Sequence, residues 1–133
     1  MLEEQAQGTQ TQSSPTGVFE RMIQAANRHD LDAMVACFAP DFRSEQPFHP
    51  ERNFTGQAGV RNNWSFFFTT IPDIQIEILN EVTEGDTVWS ELHYHGMQTD
   101  GIKINVRGVS LSRIQADQII WARLYIEPVQ ELH

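Results

Sequence analysis

The sequence predicts an α+β fold in which three N-terminal helices cover one face of a curved, mainly antiparallel sheet. Three observations carry this. Up to Pro72 the apolar residues recur with helical spacing, and from Asp73 onward their period changes to two. Turn signals at Glu84-Gly85-Asp86, Asp100-Gly101 and Ala116-Asp117 then divide the second half into hairpin-linked strands.

Residues 1–15 are rich in Gln, Ser, Thr and Gly, lack an apolar period, and read as a disordered polar leader. After Pro15 and the candidate cap Thr16, Val18, Phe19, Met22, Ile23, Ala25 and Ala26 share one face of a helix ending near Arg28. Asp30 is placed to cap a short second helix that turns Leu31, Met34, Val35 and Phe38 inward and is closed by Pro40. A short strand over Phe42 to Phe48 leads into the polar loop HPERNF. The third helix begins at Thr55 or Gly56. Its Val60, Trp64, Phe67, Phe68 and Ile71 form a one-sided stripe that needs a large partner surface, and Pro72 ends it. Ile74, Ile76 and Ile78 alternate with polar residues, followed by TVWSELHYHGMQ, IKINVRGVSLSRI and QIIWARLYIE as further strands. The domain is expected over residues 16–129, with 130–133 as a tail.

A chain of 133 residues suits one domain, and 40% hydrophobic with 20% charged residues is the composition of a soluble globular protein. No apolar run approaches the ~20 residues that a membrane span needs. The start has neither a basic nor an apolar secretory region, which makes the cytoplasm the default location. A net charge of −9 repels phosphate backbones and anionic membranes, so neither nucleic acid nor a membrane is expected as a partner. Cys37 stands alone within AMVACF, which excludes an intrachain disulfide and suggests a buried, inert thiol.

Two stretches carry a family resemblance: NRHDLDAMVACFAPDF, a charged turn between paired helices, and RGVSLSRIQADQIIWARLYIEP, a closing hairpin. With the element order they resemble the nuclear transport factor 2-like superfamily, which includes ketosteroid isomerases and SnoaL-like polyketide cyclases. The resemblance implies a cone-shaped, cystatin-like fold with a ligand pocket between helices and sheet. It leaves function open, because this architecture hosts isomerases, cyclases, hydrolases, dehydratases and silent binders. Aligned with the ketosteroid isomerase pattern, the family's general base falls at Gln46, its oxyanion phenol at Met22 and its protonated aspartate at Ser110. Gln46 takes no proton near neutral pH, so steroid isomerisation by that mechanism is not expected.

Carried on without gaps, the same register turns the odd positions of the strand from Trp89 to Met97 into the cavity. Glu91, His93 and His95 then form a polar ladder beside Trp64 and Met97, with Gln46 and His49 at its mouth. Burying such groups costs several kcal/mol unless they are paired or used, roughly, which makes Glu91, His93 and His95 the candidate catalytic set. Met22, Gln46, His49, Trp64, Phe67, Met97 and Ser110 are the candidate ligand contacts. A register shifted by one residue would instead place Val88, Leu92 and Tyr94 inside.

The two strand histidines could also chelate a metal with Glu91 or His49, but no further Cys, His or Asp cluster accompanies them. The expectation is no metal and no cofactor. On the last strand Ile120, Ala122, Leu124 and Ile126 suit the helical layer, whereas Trp121, Arg123, Tyr125 and Glu127 occupy the other face. That face suggests a homodimer through the outer sheet, with an acid/base role for Glu127 at the pocket rim as the competing use. The resulting expectation is a small cofactor-independent enzyme, of isomerase, cyclase or hydratase type, acting on an apolar oxygenated small molecule. The alternative is a non-catalytic ligand-binding module with the same pocket.

Overall fold

The computed structural model describes residues 14–132, so the expected disordered leader lies, apart from Ser14 and Pro15, outside the described residues. Helix α1 spans Pro15–Asn27 and starts one turn signal earlier than expected: Ser14, not Thr16, is the N-cap, its side chain accepting from the Gly17 amide at 3.0 Å. Proline at the first helical position gives up no hydrogen bond there. Asp30 caps α2 (Leu31–Ala36) as expected, Oδ1 accepting from the Ala33 amide at 3.1 Å. The chain leaves α2 at Cys37, ahead of Pro40. Pro40 instead lies inside strand β1 (Phe38–Glu45), where the register breaks between Phe38 and Arg43; an irregular stretch tolerates a residue with no N–H to donate. A short 3-10 turn (Pro50–Arg52) and strand β2 (Phe54–Thr55) lead into α3 (Gly56–Thr70). Gly56 enters that helix at φ +77°, a conformation costly for a residue with a side chain.

Strands β3 (Gln75–Glu84), β4 (Thr87–Met97), β5 (Lys103–Gln115) and β6 (Gln118–Pro128) form an antiparallel meander. β1 joins β6 in parallel, giving one mixed six-stranded sheet in the order β2-β1-β6-β5-β4-β3. The core lies between the helices and one sheet face, with Phe19, Met34, Val60, Val88, Leu92 and Ile119 fully buried. No helix among the described residues is long and apolar enough to cross a membrane.

Register decides which side chains this layer covers. Met97 stands opposite Lys103 and Ser90 opposite Ser110, so residues 98–102 form a five-residue connection. Asp100-Gly101 as a two-residue turn would have paired Thr99 with Ile102 and exchanged the two faces of β4. The inward side of β4 therefore carries Val88, Ser90, Leu92 and Tyr94, and Glu91, His93 and His95 lie on the opposite face. A bulge in β6, between the pairs Arg113 with Trp121 and Ile114 with Ile119, puts Ile119 in the core and turns Ile120 outward, correcting the expectation for Ile120. Ala122, Leu124 and Ile126 face the helices as expected.

Candidate functional site

Between the helices and the inner sheet face lies a cavity of about 260 Å³. Its wall is mainly apolar: α1 contributes Phe19 and Ile23, α2 Met34, β1 Phe42, and the sheet Leu92 and Leu124. Of the expected ligand contacts, Met22, Gln46, Trp64 and Ser110 line this cavity. His49, Phe67 and Met97 do not. Phe67 lies one helical step round from the wall and packs edge-on against Trp64 at 5.4 Å between ring centres, while Met97 is 43% exposed at the end of β4.

The polar groups of the wall are few. Ser44, Ser110 and Ser112 are buried, and the hydroxyls of Ser90 and Ser110 bond each other at 2.9 Å. Arg52 donates from Nη1 to Gln46 Oε1 at 3.2 Å, which fixes the Gln46 amide at the wall. Tyr94 is the group that reading the odd positions of β4 passes over. Its hydroxyl has no hydrogen-bond partner among the described residues, and burial pushes its pKa far up, so it remains a neutral phenol. Asn63, Ser44 and Ser112 were likewise not singled out, although Ser110 and Ser112 share one parity of β5 and so mark the same face. Among the described residues, no lining side chain is a carboxylate, an imidazole or a thiol.

A second group is held by the loop that follows β1. The turn from Gln46 to Arg52 is held by His49 N donating to Gln46 O and Arg52 N donating to His49 O, both at 2.9 Å, so His49 sits between two wall residues. Its Nε2 hydrogen-bonds Glu127 at the end of β6, and its Nδ1 is 3.6 Å from Glu51. Glu127 has the outward parity of Arg123 and Tyr125, so the pair lies outside the cavity wall, on the side of the outer sheet face.

The outer sheet face holds the three residues that the sequence placed inside, and the five-residue connection after Met97 is the reason. Glu91 accepts from Asn80 at 2.7 Å and lies 3.8 Å from Arg107. His93 is held between Glu77 at 3.3 Å and Asn105 at 2.7 Å, and His95 Nε2 is also 3.3 Å from Glu77. Further along the face Trp121 donates to Glu45 at 2.6 Å and Arg123 at 3.3 Å. The Trp121 hydrogen bond, with Arg123 behind it, lowers the pKa of Glu45 against a smaller opposing effect of burial. Arg123 also stacks over the Trp121 ring at 4.8 Å.

The family model described as a SnoaL-like domain matches residues 19–122. A cystatin-fold protein from Novosphingobium aromaticivorans is similar in structure, with 22% identity, 84% of this chain and 97% of that chain covered, and a TM-score of 0.74. A protein from Jannaschia sp. CCS1, provisionally named a SnoaL-like polyketide cyclase, is similar at 20% identity, with 85% of each chain covered and a TM-score of 0.73. A protein of ketosteroid isomerase-like fold from Catenulispora acidiphila, crystallised with trimethylamine, is similar at 18% identity over 81% of this chain and 83% of that one, with a TM-score of 0.71. At these identities the likeness shows the fold. No curated protein matches the sequence significantly.

Proposed function

The chain belongs to the SnoaL-like domain family, and from that premise we propose that it takes a small, mainly apolar, oxygen-bearing molecule into its cavity and acts on it without a cofactor, by acid/base chemistry of isomerase, cyclase or hydratase type. The observation that carries this reading is a mainly apolar cavity of about 260 Å³ with a neutral phenol in its wall, Tyr94, that has no hydrogen-bond partner among the described residues. A ligand oxygen seated against Tyr94 gains a hydrogen bond that strengthens as negative charge develops on it. Donors of this kind are commonly worth ~100-fold in rate or more. His49, hydrogen-bonded to Glu127 and held in the turn that joins the wall residues Gln46 and Arg52, is the proton-transfer group of this reading.

One observation favours a second reading, a binding module without catalysis: among the described residues the wall holds no carboxylate, imidazole or thiol. The two readings separate in one set of measurements. Cyclic ketones and phenols are titrated against the tryptophan fluorescence, to which Trp64 in the wall contributes, and each compound that binds is incubated and analysed by mass spectrometry. Tyr94→Phe should weaken binding about 10-fold, in line with the loss of one hydrogen bond to a ligand. His49→Ala should retain binding and lose turnover. Turnover unchanged in both variants would refute the acid/base assignment, and binding with no product would establish the module.

We also propose a homodimer through the outer sheet face. Trp89, Val109 and Tyr125 stand there 48%, 38% and 36% exposed, together with the edge-to-face pair of Phe48 and Tyr125 at 5.4 Å.

A further inference from the structure

The outer face carries a cluster that neither the cavity nor its rim uses. One oxygen, Glu77 Oε1, is approached by two imidazoles: His93 Nδ1 and His95 Nε2, each at 3.3 Å. Both contacts are longer than the ~2.7–2.9 Å of a close charge-assisted hydrogen bond. All three atoms lie within 4.8 Å of one another.

The hydrogen positions are constrained from the other side of the ring. Asn105 Oδ1 lies 2.7 Å from His93 Nε2 and can only accept, so Nε2 carries the hydrogen. In the neutral ring this leaves a lone pair on Nδ1 directed at a carboxylate oxygen. Two acceptors facing each other require something positive between them.

We propose that Glu77, His93 and His95 form a binding site for a first-row divalent cation of the zinc type. A tetrahedral ion with ligand bonds of ~2.0–2.2 Å holds neighbouring ligand atoms about 3.4 Å apart. The two measured 3.3 Å separations have that spacing. The third separation, between the two imidazoles, is within 4.8 Å, and both rings are part-exposed. Two neutral imidazoles with one carboxylate are a donor set for zinc, nickel or copper, and a poor one for magnesium or calcium, which take oxygen ligands. Three protein ligands leave a position open to water.

The scaffold supports the site. Glu77 and His93 are directly opposite each other in the β3–β4 ladder, and His95 follows two residues on, so all three project from paired strands on one face. The hydrogen bond from His93 Nε2 to Asn105 is the outer contact that typically orients a metal-binding imidazole. Glu91, which shares the face, is engaged by Asn80 and Arg107 and is not a ligand. The acceptor that completes the strand histidines is thus Glu77, sixteen residues away in sequence and adjacent only through the β3–β4 pairing.

The test uses the tag-free full chain, stripped with a chelator, with zinc titrated calorimetrically in excess magnesium. One zinc per chain is expected. Glu77→Gln, His93→Ala and His95→Ala should each abolish binding or weaken it by more than ~10-fold, and Asn105→Ala should weaken it about 10-fold. Asp32→Asn, on α2 in the helical layer, should bind as wild type does. Cobalt in place of zinc should give visible d–d absorption that His95→Ala lacks. No zinc uptake by the wild-type chain, which would leave an imidazolium–carboxylate pair as the occupant, overturns the proposal. So does unchanged affinity in the Glu77, His93 and His95 variants when their circular dichroism shows them folded.

Discussion

Glu81 is a carboxyl that the fold holds against its ordinary chemistry. The register of β3 shifts between Ile78 and Asn80, which turns Glu81 toward α1 and the carboxyl of Glu20. Its Oε2 is buried without a hydrogen-bond partner. Burial, then the hydrogen bond with Glu20 and its charge, push the pKa of Glu81 from 4.5 up to about 7. A folded value above the unfolded one means that the native chain binds the extra proton between those limits. The contribution of Glu81 to stability is therefore fullest below about pH 4.5 and is lost as pH rises to about 7. At about 1.4 kcal/mol per pKa unit the displacement corresponds to at most about 3.5 kcal/mol; part of the side chain remains in water, which reduces this to about 1–2 kcal/mol. Glu81→Gln keeps the shape and removes the proton. Urea unfolding of both chains at pH 5 and pH 8 should show the wild type losing about 1–2 kcal/mol more than the variant across that interval. The same pH dependence in the two chains would refute the reasoning.

Four other outcomes are expected. Gly108 lies where a Cβ would come within 2.0 Å of the Tyr125 carbonyl oxygen, so Gly108→Ala should force β5 from β6 and cost about 3 kcal/mol, measured by urea denaturation. Asn27 acts as a surrogate strand for edge strand β3, accepting from Ile76 N at 2.7 Å and donating to Ile76 O at 2.9 Å; Asn27→Ala should cost about 2 kcal/mol and speed amide exchange at Ile76. Light scattering at tens of micromolar should give the mass of a dimer, and Trp89→Glu should give that of a monomer; a monomeric wild type refutes the outer-face interface. A 5-ene-3-keto steroid should not be isomerised efficiently, since Met22, Gln46 and Ser110 occupy the wall where the isomerase pattern places its donors and base; rapid conversion, followed by ultraviolet absorbance, would show another group acting as base.

The helical half was legible because its determinants are local. Ser14 or Thr16, Asp30, Thr55 and Pro72 act within a turn of where they stand, and the stripes through Val18, Met22 and Val60, Trp64 need only a 3.6-residue period to find the core. The two-residue turns at Gly85-Asp86 and Ala116-Asp117 were legible for the same reason, as was the outward face of Trp121, Arg123 and Tyr125. What the sequence alone did not decide was the facing of β4. There Asp100-Gly101 reads as a tight turn, whereas the connection is closed by Gln98 N to Ile102 O at 2.8 Å and Gly101 N to Gln98 O at 2.9 Å. A strand has a period of two, so that difference in loop closure moved Glu91, His93 and His95 from the cavity to the outer face and brought Leu92 and Tyr94 in. Val88, Leu92 and Tyr94 formed the more apolar parity, and burial of apolar surface favours that choice. The bulges that turn Ile120 outward and Glu81 inward, and the meeting of Glu77 with His93 and His95, belong to strand pairing between distant segments. By itself, then, the sequence determined the elements and the family, through short-range periods and caps; only the tertiary structure decided which side chains share a site, because facing depends on register, and register is set between strands and not within them.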